Sequence, residues 1–191
     1  MAQNIADFYR VVQQNDFARQ FQFRVVQLAN TNFGEDQLVY LETASLPGRT
    51  INNIAVPFLG LQFNVPGTAS YPGSDSYGVT FRCDQNYNIR AVLENATFNS
   101  FDDGTSSGDY NIARNSSLIV LNLLGKNGST VRQYTLYGAY VTSVGDITYN
   151  LGDNGSIVTV PATLAYQYWR VTTTSTQDIL PTTATVGPLG L

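Results

Sequence analysis

The sequence lacks histidine altogether and contains a single cysteine (Cys83) and a single lysine (Lys126). Without histidine, the chain has neither a Ser–His or Cys–His catalytic pair nor a zinc site with histidine ligands. One cysteine forms no disulfide within the chain and no Cys-x-x-Cys motif, so folding needs no oxidising compartment. We expect Cys83 to be a small buried apolar side chain. The sequence therefore predicts neither a cofactor nor a metal site.

Charged residues are also scarce. They make up 13% of the 191 residues, against roughly 25% in an ordinary soluble domain. The net charge is −4 and the pI is about 4.6, which argues against a basic face that binds duplex DNA through its phosphates. A surface this poor in charge is typical of a protein that is largely covered by partners.

Long apolar runs are missing. No segment approaches the roughly 20 apolar residues of a membrane-spanning helix, and residues 1–7 lack the basic and apolar regions of a signal peptide. We therefore expect no membrane anchor. A chain of this length is sufficient for one domain with a sizeable core.

Helical periodicity is confined to two places. Apolar spacing predicts a short helix over residues 4–16 and an internal helix over residues 85–98, with Asp84 placed to cap the second. Elsewhere apolar and polar residues alternate, as in strands with one buried face. The sequence predicts a mainly β fold, an antiparallel β-sandwich or barrel with one internal α-helix.

The C-terminal half has the clearest strand pattern. Asn127-Gly128 and Asn154-Gly155 separate alternating runs, and both residue types tolerate the positive φ of a type I′ hairpin turn. We predict a four-stranded antiparallel meander made of Ser117–Leu124, Val131–Tyr140, Asp146–Leu151 and Ile157–Val171.

Small neutral or acidic side chains share one face of the last two predicted strands. Ordinary solvent exposure also accounts for such a face. Lysine and glutamate, which usually decorate a solvent-exposed face, are nevertheless absent there. The residues concerned are Asp146, Thr148, Asn150, Thr159, Thr163 and Gln167.

Residues 45–78 are rich in proline and glycine, with Pro-Gly pairs at 47–48, 66–67 and 72–73. Proline and glycine at these intervals predict an extended, projecting hairpin loop with one short strand on each arm. A loop this long in a compact domain is usually functional.

These patterns divide the chain into an N-terminal helical arm (1–20), a β domain (21–171) and a threonine-rich C-terminal tail (172–191). The predicted structural core residues are Phe23, Val25, Phe81, Leu164 and Trp169.

Two other classes of function have weaker support. The carboxylates of Glu94, Asp102, Asp103 and Asp109 are the only local acidic cluster, but their Gly/Ser-rich loop lacks aromatic residues that would raise a pKa for hydrolase chemistry. Tyrosine-rich strands and a threonine-rich tail are also found in carbohydrate-binding or adhesion β-sandwiches. In alternating strands, however, such tyrosines more often fill a core or an interface.

Six segments, in order, resemble the tail tube proteins of T4-like contractile-tailed bacteriophages. Val141 stands where the family has proline, and the loop after Phe101 and the C-terminal tail also depart from the family. The matching segments are Asp16-Phe17-Ala18-Arg19 with Phe23-Arg24-Val25, Ala44-Ser45-Leu46-Pro47-Gly48, Ile54-Ala55-Val56-Pro57-Phe58 with Asn64-Val65-Pro66-Gly67, Val79-Thr80-Phe81, Tyr137-Gly138-Ala139-Tyr140-Val141-Thr142-Ser143-Val144-Gly145-Asp146 and Thr163-Leu164-Ala165-Tyr166-Gln167-Tyr168-Trp169.

The resemblance implies a structural subunit with no active site. In that family, six subunits form a ring around a shared inner β-barrel, and rings stack into a tube that conducts DNA into the host. The implied partners are other copies of this chain, the tail sheath, the baseplate and the tail terminator. The implied location is the virion tail, assembled in the host cytoplasm. Related tubes serve headless injection or secretion systems, which remain an alternative.

The resemblance also assigns roles to residues. The loop at 45–78 corresponds to the segment that bridges rings, and the polar face of the last strands corresponds to the channel wall. The implied inter-ring contacts are Arg49, Ile51, Asn52, Asn53, Ile54, Val56 and Phe58.

Overall fold

The computed structural model describes residues 4–108, 117–152, 155–173 and 177–178. The predicted tail at 172–191 therefore lies mostly outside the described residues, as does Asp109. The helices are α1 (Ile5–Asn15), α2 (Glu35–Leu38) and α3 (Asn88–Ser100). The strands are β1 (Phe23–Ala29), β2 (Leu41–Thr43), β3 (Thr50–Phe58), β4 (Leu61–Ser70), β5 (Tyr77–Arg82), β6 (Phe101–Asp102), β7 (Ser107–Gly108), β8 (Leu118–Leu124), β9 (Thr130–Tyr137), β10 (Tyr140–Val144), β11 (Thr159–Ala165), β12 (Tyr168–Thr173) and β13 (Gln177–Asp178).

Two antiparallel sheets form the body of the protein. One has five strands in the order β1-β8-β9-β12-β13, and the other has four in the order β10-β11-β5-β2. Strands β3 and β4 pair only with each other, as do the short strands β6 and β7. The mainly β, antiparallel class predicted from the sequence is confirmed, with the four-residue α2 as an additional helix.

One cluster of buried side chains packs between the two sheets. Ile119 and Leu136 of the five-stranded sheet pack in one cluster with Phe81 and Leu164 of the four-stranded sheet and Leu93 of α3. Burying a side chain of this size stabilises the fold by roughly 1.5–3 kcal/mol. The core therefore belongs to the two sheets and α3.

The five predicted core residues occupy two environments. Val25, Phe81 and Leu164 are buried, whereas Phe23 and Trp169 are partly buried and pack against the cluster from its margin. Cys83, expected to be fully buried, is also at this margin.

Helix α3 starts later than the sequence predicts. Tyr87 occupies the N-cap position in a left-handed conformation, and the Asp84 carboxylate accepts the backbone N–H of Ile89 at 3.0 Å. Asp84 therefore caps the N-terminus of α3, although it precedes the N-cap residue Tyr87 in the chain. Partial burial raises the pKa of Asp84, but several backbone N–H donors, Ile89 first, outweigh this effect and lower the pKa below its usual value.

The predicted C-terminal meander is wrong in its second half. Segment Asp146–Leu151 forms no strand, and the predicted long strand Ile157–Val171 is two strands, β11 and β12, which lie in different sheets. Between β9 and β12 the chain switches sheets twice, after Tyr137 and around Tyr166–Gln167. A regular alternation of side chains cannot reveal such a switch, because both strands bury one face in the same core.

Pro161 explains why pairing stops before Asp146. The backbone N–H of Gly145 donates to the Pro161 carbonyl at 2.7 Å, but proline has no N–H to return the bond. The Gly145 carbonyl instead accepts from Arg90 Nη1 of α3 at 3.2 Å. Because the hydrogen-bonded pairing of β10 with β11 stops here, the chain leaves the sheet as a loop.

The two Asn-Gly signals have different outcomes. Asn127-Gly128 lies in the turn that joins β8 to β9, and Gly128 has a φ of +71°. Gly155 lies in the long segment that connects the paired strands β10 and β11, which begin and end too far from it for a tight hairpin turn, and Asn154 lies outside the described residues.

Helix α1 covers nearly the whole predicted range, but its apolar side faces solvent. Ile5, Phe8 and Val11 are all exposed, and Phe8 contacts Phe17 just beyond the helix. The link that follows α1 is held to the β8–β9 turn by an ion pair between Asp16 and Lys126 at 3.0 Å.

The Asp84 cap gives a pH-dependent prediction. Because its pKa is lowered in the folded state, its stabilisation is present above the unfolded value near 3.8 and is lost as pH falls through the folded value. We expect Asp84→Ala to lower the free energy of unfolding by about 1 kcal/mol at pH 7, and by progressively less as the pH falls below 3.8. Urea unfolding at pH 7 and at a series of lower pH values measures this. Asp84→Asn, which keeps the oxygen acceptor, is the control and should lose less than Asp84→Ala at pH 7.

Candidate assembly surfaces

Strands β3 and β4 form a hairpin, Thr50–Ser70, that makes no substantial packing contact with the rest of the described subunit. Every residue of β3, and every residue of β4 except Ser70, is exposed. The predicted projecting hairpin is therefore present, and its strands are longer than expected. We call it the projecting hairpin.

The register of the projecting hairpin separates its side chains into two faces. Ile54 pairs with Val65 and Val56 with Phe63, and one step further Phe58 pairs with Leu61. Side chains of directly opposed residues lie on the same face, so these six form one apolar face. The alternate pairs form the other, largely polar face, namely Asn53 with Pro66, Ala55 with Asn64 and Pro57 with Gln62.

Only part of this apolar face was predicted from the sequence. Of the predicted inter-ring contacts, Ile54, Val56 and Phe58 lie on it, whereas Asn53 lies on the polar face and a register shift follows Ile51. Arg49 precedes the hairpin, and Asn52 Nδ2 donates to Thr68 Oγ1 at 3.2 Å. The alternation of Leu61, Phe63 and Val65 was visible in the sequence, but only the pairing register places these residues beside Ile54.

Aromatic residues hold the root of the projecting hairpin. Trp169 Nε1 donates to the Gly48 carbonyl at 2.9 Å, and the Tyr77 hydroxyl donates to the Ser45 carbonyl at 2.7 Å. Tyr71, which follows the hairpin, makes an edge contact with the Trp169 ring. Burial raises the pKa of Tyr77 to about 12, which keeps its hydroxyl protonated as a donor. Both chain segments that enter and leave the hairpin are thus fixed to the body.

The four-stranded sheet presents a second surface, on the face turned away from the core. Register places Thr163 of β11 between Ser143 and Gly78, and Pro161 beside Thr80. Most side chains of this face are hydroxyls or are very small. Its charged groups lie at one end, where Arg82 pairs with Glu42 at 3.4 Å.

The predicted polar-face residues are only partly brought together. Asp146, Thr148 and Asn150 are exposed in the loop after β10 and line one groove of about 500 Å³ with Thr159. Thr163 lies further along the same face of β11. Gln167 lies in the turn between β11 and β12, where the chain changes sheets.

Both edges of the four-stranded sheet are unpaired within the described subunit. Strand β10 stands at one edge and β2 at the other. Open edges present backbone donors and acceptors that readily pair with another chain.

The described residues contain no group of three or more potential metal ligands. The acidic residues Asp102 and Asp103 are exposed in the β6–β7 turn, where Asp102 accepts from Thr105 and the Gly104 N–H. Among the described helices, none has the length and apolar character to cross a membrane.

The family described as phage tail tube protein matches residues 12–172. No curated protein sequence matches the chain.

Solved structures with a similar fold come from contractile injection systems. The tube-terminating cap of the anti-feeding prophage has a TM-score of 0.59 at 14% identity, covering 82% of this chain and 91% of that one. The sheath–tube complex of an extracellular contractile injection system in its extended state has a TM-score of 0.56 at 14% identity, covering 86% and 97%. A chain of the anti-feeding prophage baseplate has a TM-score of 0.55 at 16% identity, covering 83% and 97%. At these identities, the likeness shows the fold.

Trp169 provides a test of the hairpin root. We expect Trp169→Ala to lower the free energy of unfolding by about 3 kcal/mol and to cause aggregation, because both the ring packing and the bond to Gly48 are lost. Trp169→Phe keeps most of the packing and should cost about 1 kcal/mol. Denaturant unfolding of both variants measures the difference. A stable Trp169→Ala protein would show that the ring contributes little.

Proposed function

Because the chain belongs to the phage tail tube protein family, we propose that it is the structural subunit of a tail tube built from stacked hexameric rings that conduct DNA into the host. One observation carries this proposal, namely the apolar face of the projecting hairpin, which the described subunit leaves exposed. Stacking of rings buries that face. The subunit acts by assembly and has no catalytic role.

Lateral assembly follows from the open edges of the four-stranded sheet. Strand β2 is antiparallel to β5, β5 to β11 and β11 to β10. When β10 of one copy lies beside β2 of the next, the alternation continues and the pair is again antiparallel. Six copies then close one barrel without a free edge, which removes the hazard of unpaired strands.

The hydroxyl-rich face of this sheet is the proposed channel wall. Thr163 and Ser143 offer DNA phosphates no fixed positive charge, and Arg82 is neutralised by Glu42. Several lysine or arginine contacts would create a salt-dependent affinity that retards passage. Thr159 continues this wall, and Asp146, Thr148 and Asn150 stand at its end.

The remaining partners follow from the proposed role. The relatives of known structure include a sheath–tube complex, a tube cap and a baseplate. We propose contacts with sheath, baseplate and terminator proteins, and a location in the virion tail after assembly in the host cytoplasm. The same structures favour, as a second candidate, a tube of a headless injection system. Packaged DNA in particles that contain this chain would distinguish the two.

The apolar face of the projecting hairpin can be tested with two neighbouring positions. Phe63 lies on that face and Asn64 on the polar face. We expect Phe63→Glu to raise the concentration needed for tube formation by at least about tenfold, because stacking would bury a charge. Asn64→Glu should assemble normally. Electron microscopy of negatively stained protein measures assembly, and circular dichroism checks that both variants fold. Equal assembly of the two variants would contradict the proposal.

The channel wall can be tested with added positive charge. Thr43→Lys together with Thr163→Lys places lysines on the proposed wall, and Gln27→Lys with Thr172→Lys places the same charge on the outward face of the five-stranded sheet. We expect the first pair to slow DNA ejection from virions at low salt and the second to leave it unchanged. A slowed rate for the second pair alone would place the wall on the other sheet.

A further inference from the structure

A groove of about 600 Å³ opens between an edge strand of each sheet, β1 on one side and β2 on the other. Exposed apolar side chains surround it, notably Phe21, Val26, Val39 and Tyr40. The buried Leu38 of α2 lines it as well. Any chain that pairs with the open edge of β2 therefore brings the elements packed on it next to this groove.

Helix α3 packs along the opposite edge strand, β10, on the side that faces the core. Its first turn lies at the end of β10, where Arg90 Nη1 donates to the Gly145 carbonyl at 3.2 Å. Its later turns lie at the start of β10, since Asn30 Nδ2 donates to the Ala96 carbonyl at 3.1 Å and Asn30 Oδ1 accepts from the Val141 N–H at 3.4 Å. The helix thus runs antiparallel to β10, with its N-terminus at the end of the strand.

Two peptide groups show which backbone atoms point out of the open edges. The Gly145 N–H donates to a carbonyl of β11 at 2.7 Å, so the Val144 carbonyl of the same trans peptide points the other way, out of the sheet. The Tyr40 carbonyl accepts from an N–H of β5 at 2.9 Å, so the Leu41 N–H points out of the opposite edge. An outward acceptor on β10 therefore matches an outward donor on β2.

The side chains of Val144 and Leu41 match in the same way. Both are partly buried and pack against the core cluster of their own subunit. Residues directly opposite each other on antiparallel strands have their side chains on the same face. Pairing Val144 of one copy with Leu41 of the next therefore joins the core sides of two subunits, whereas a shift of one residue would turn one of these side chains to the other face.

This register decides which part of the second copy reaches the groove. Because the strands are antiparallel, the residues that follow Val144 run beside those that precede Leu41, past Val39 at the groove rim. The chain then leads to the exposed Tyr149, whose side chain is hydrogen-bonded to that of Tyr87 at the N-terminus of α3. We call Tyr87 and Tyr149 the tyrosine pair.

The tyrosine pair is only partly used within its own subunit. Tyr87 is 41% exposed and Tyr149 is 63% exposed. Tyr87 also has a φ of +57°, a left-handed conformation that a bulky side chain rarely adopts. Such backbone strain is concentrated at functional sites, and tyrosine is enriched in interfaces between proteins.

The groove and the tyrosine pair are electrically compatible. Tyrosine is uncharged at neutral pH. The charged groups at the groove are paired with each other, Arg24 with Glu35 at 3.5 Å and Arg82 with Glu42 at 3.4 Å. Covering the groove therefore leaves none of these four charges without a partner.

Strand pairing by itself provides too small a contact between two copies. Strand β2 has three residues and β10 has five, whereas a stable interface buries roughly 800 Å² per partner. A tyrosine side chain can bury roughly 150–250 Å². Docking of the tyrosine pair therefore supplies apolar area that the short strands lack.

We propose that the β1–β2 groove receives the tyrosine pair of the neighbouring copy in the same ring, with Val144 of that copy opposite Leu41. The proposal rests on the function proposed above, and it adds to the strand pairing a defined register and a second contact. The groove and the tyrosine pair lie at opposite edges of the four-stranded sheet, so the contact is heterologous and generates a ring when the rotation closes.

Two other segments carry exposed apolar side chains that compete for the groove. They are α1, with Phe8, and the projecting hairpin, with Phe58. The size of crosslinked products separates a contact within a ring from one between rings. A contact within a ring of six links at most six chains, whereas a contact between stacked rings links chains along the whole tube.

The experiment uses full-length chains in a Cys83→Ser background, each with Val39→Cys and one further substitution. The exposed Phe98 provides the matched control, because it lies on the same helix roughly 16 Å from Tyr87. Assembled tubes are treated with a short bis-maleimide and analysed on denaturing gels. The further substitutions are Tyr149→Cys, Phe8→Cys, Phe58→Cys and the control Phe98→Cys.

We expect the Tyr149→Cys protein to give a ladder that ends at six chains, and the other three to give at least about tenfold less product. Stronger crosslinking through Phe8→Cys or Phe58→Cys would overturn the proposal. Tubes that yield no ladder with Tyr149→Cys, or a ladder that continues beyond six chains, would also overturn it while leaving the proposed function intact. A parent protein that forms no tubes would contradict the proposed function itself, and the docking with it.

Disulfide formation in the same background measures the register independently. With Val144 opposite Leu41, the exposed Ser143 lies opposite the exposed Glu42. We expect tubes with Ser143→Cys and Glu42→Cys to form disulfide-linked multimers under mild oxidation. Ser143→Cys with Ala44→Cys reports a shift of two residues and should give at least about tenfold less. More product from the second pair, or none from either, would overturn the register.

Discussion

A two-stranded ribbon has two faces and no core of its own, and the projecting hairpin leaves both faces to solvent. Its polar face is compatible with solvent. The other face carries six apolar side chains whose burial would be favourable. The body of the subunit holds this exposed hairpin in place at its root. Trp169 and Tyr77 fix the root of the hairpin to the body by hydrogen bonds to the Gly48 and Ser45 carbonyls. On the proposed function, the isolated subunit is therefore an incomplete structure that association with other copies completes.

In the proposed assembly, association relies on apolar burial and strand pairing more than on ion pairs. The described ion pairs join side chains that are largely exposed, and such pairs contribute little. The proposed channel wall and the hairpin are nearly free of charge. The proposed assembly thus explains the scarcity of charge in the sequence, because a fixed charge on its contact surfaces would be buried and a positive charge on its channel wall would bind DNA.

The sequence predicted the class of fold, both longer helices and the position of the projecting hairpin, because each depends on local periodicity or on Pro-Gly punctuation. It did not predict that the chain changes sheets at Tyr166–Gln167, since a strand of either sheet buries one face in the same core. It also did not show that Pro161 ends the pairing with Gly145, which depends on the direction of one missing N–H. The open edges of the four-stranded sheet were beyond prediction because β10 and β2 become its edges only when the fold places β5 and β11 between them.

Electron cryomicroscopy of the purified full-length chain tests the central claim most directly. The account predicts tubes of stacked six-membered rings, with the four-stranded sheets closed into one barrel around the axis and the apolar face of each projecting hairpin covered by the next ring. Monomers that remain dispersed at tens of micromolar, or tubes in which that face is open to solvent, would contradict it.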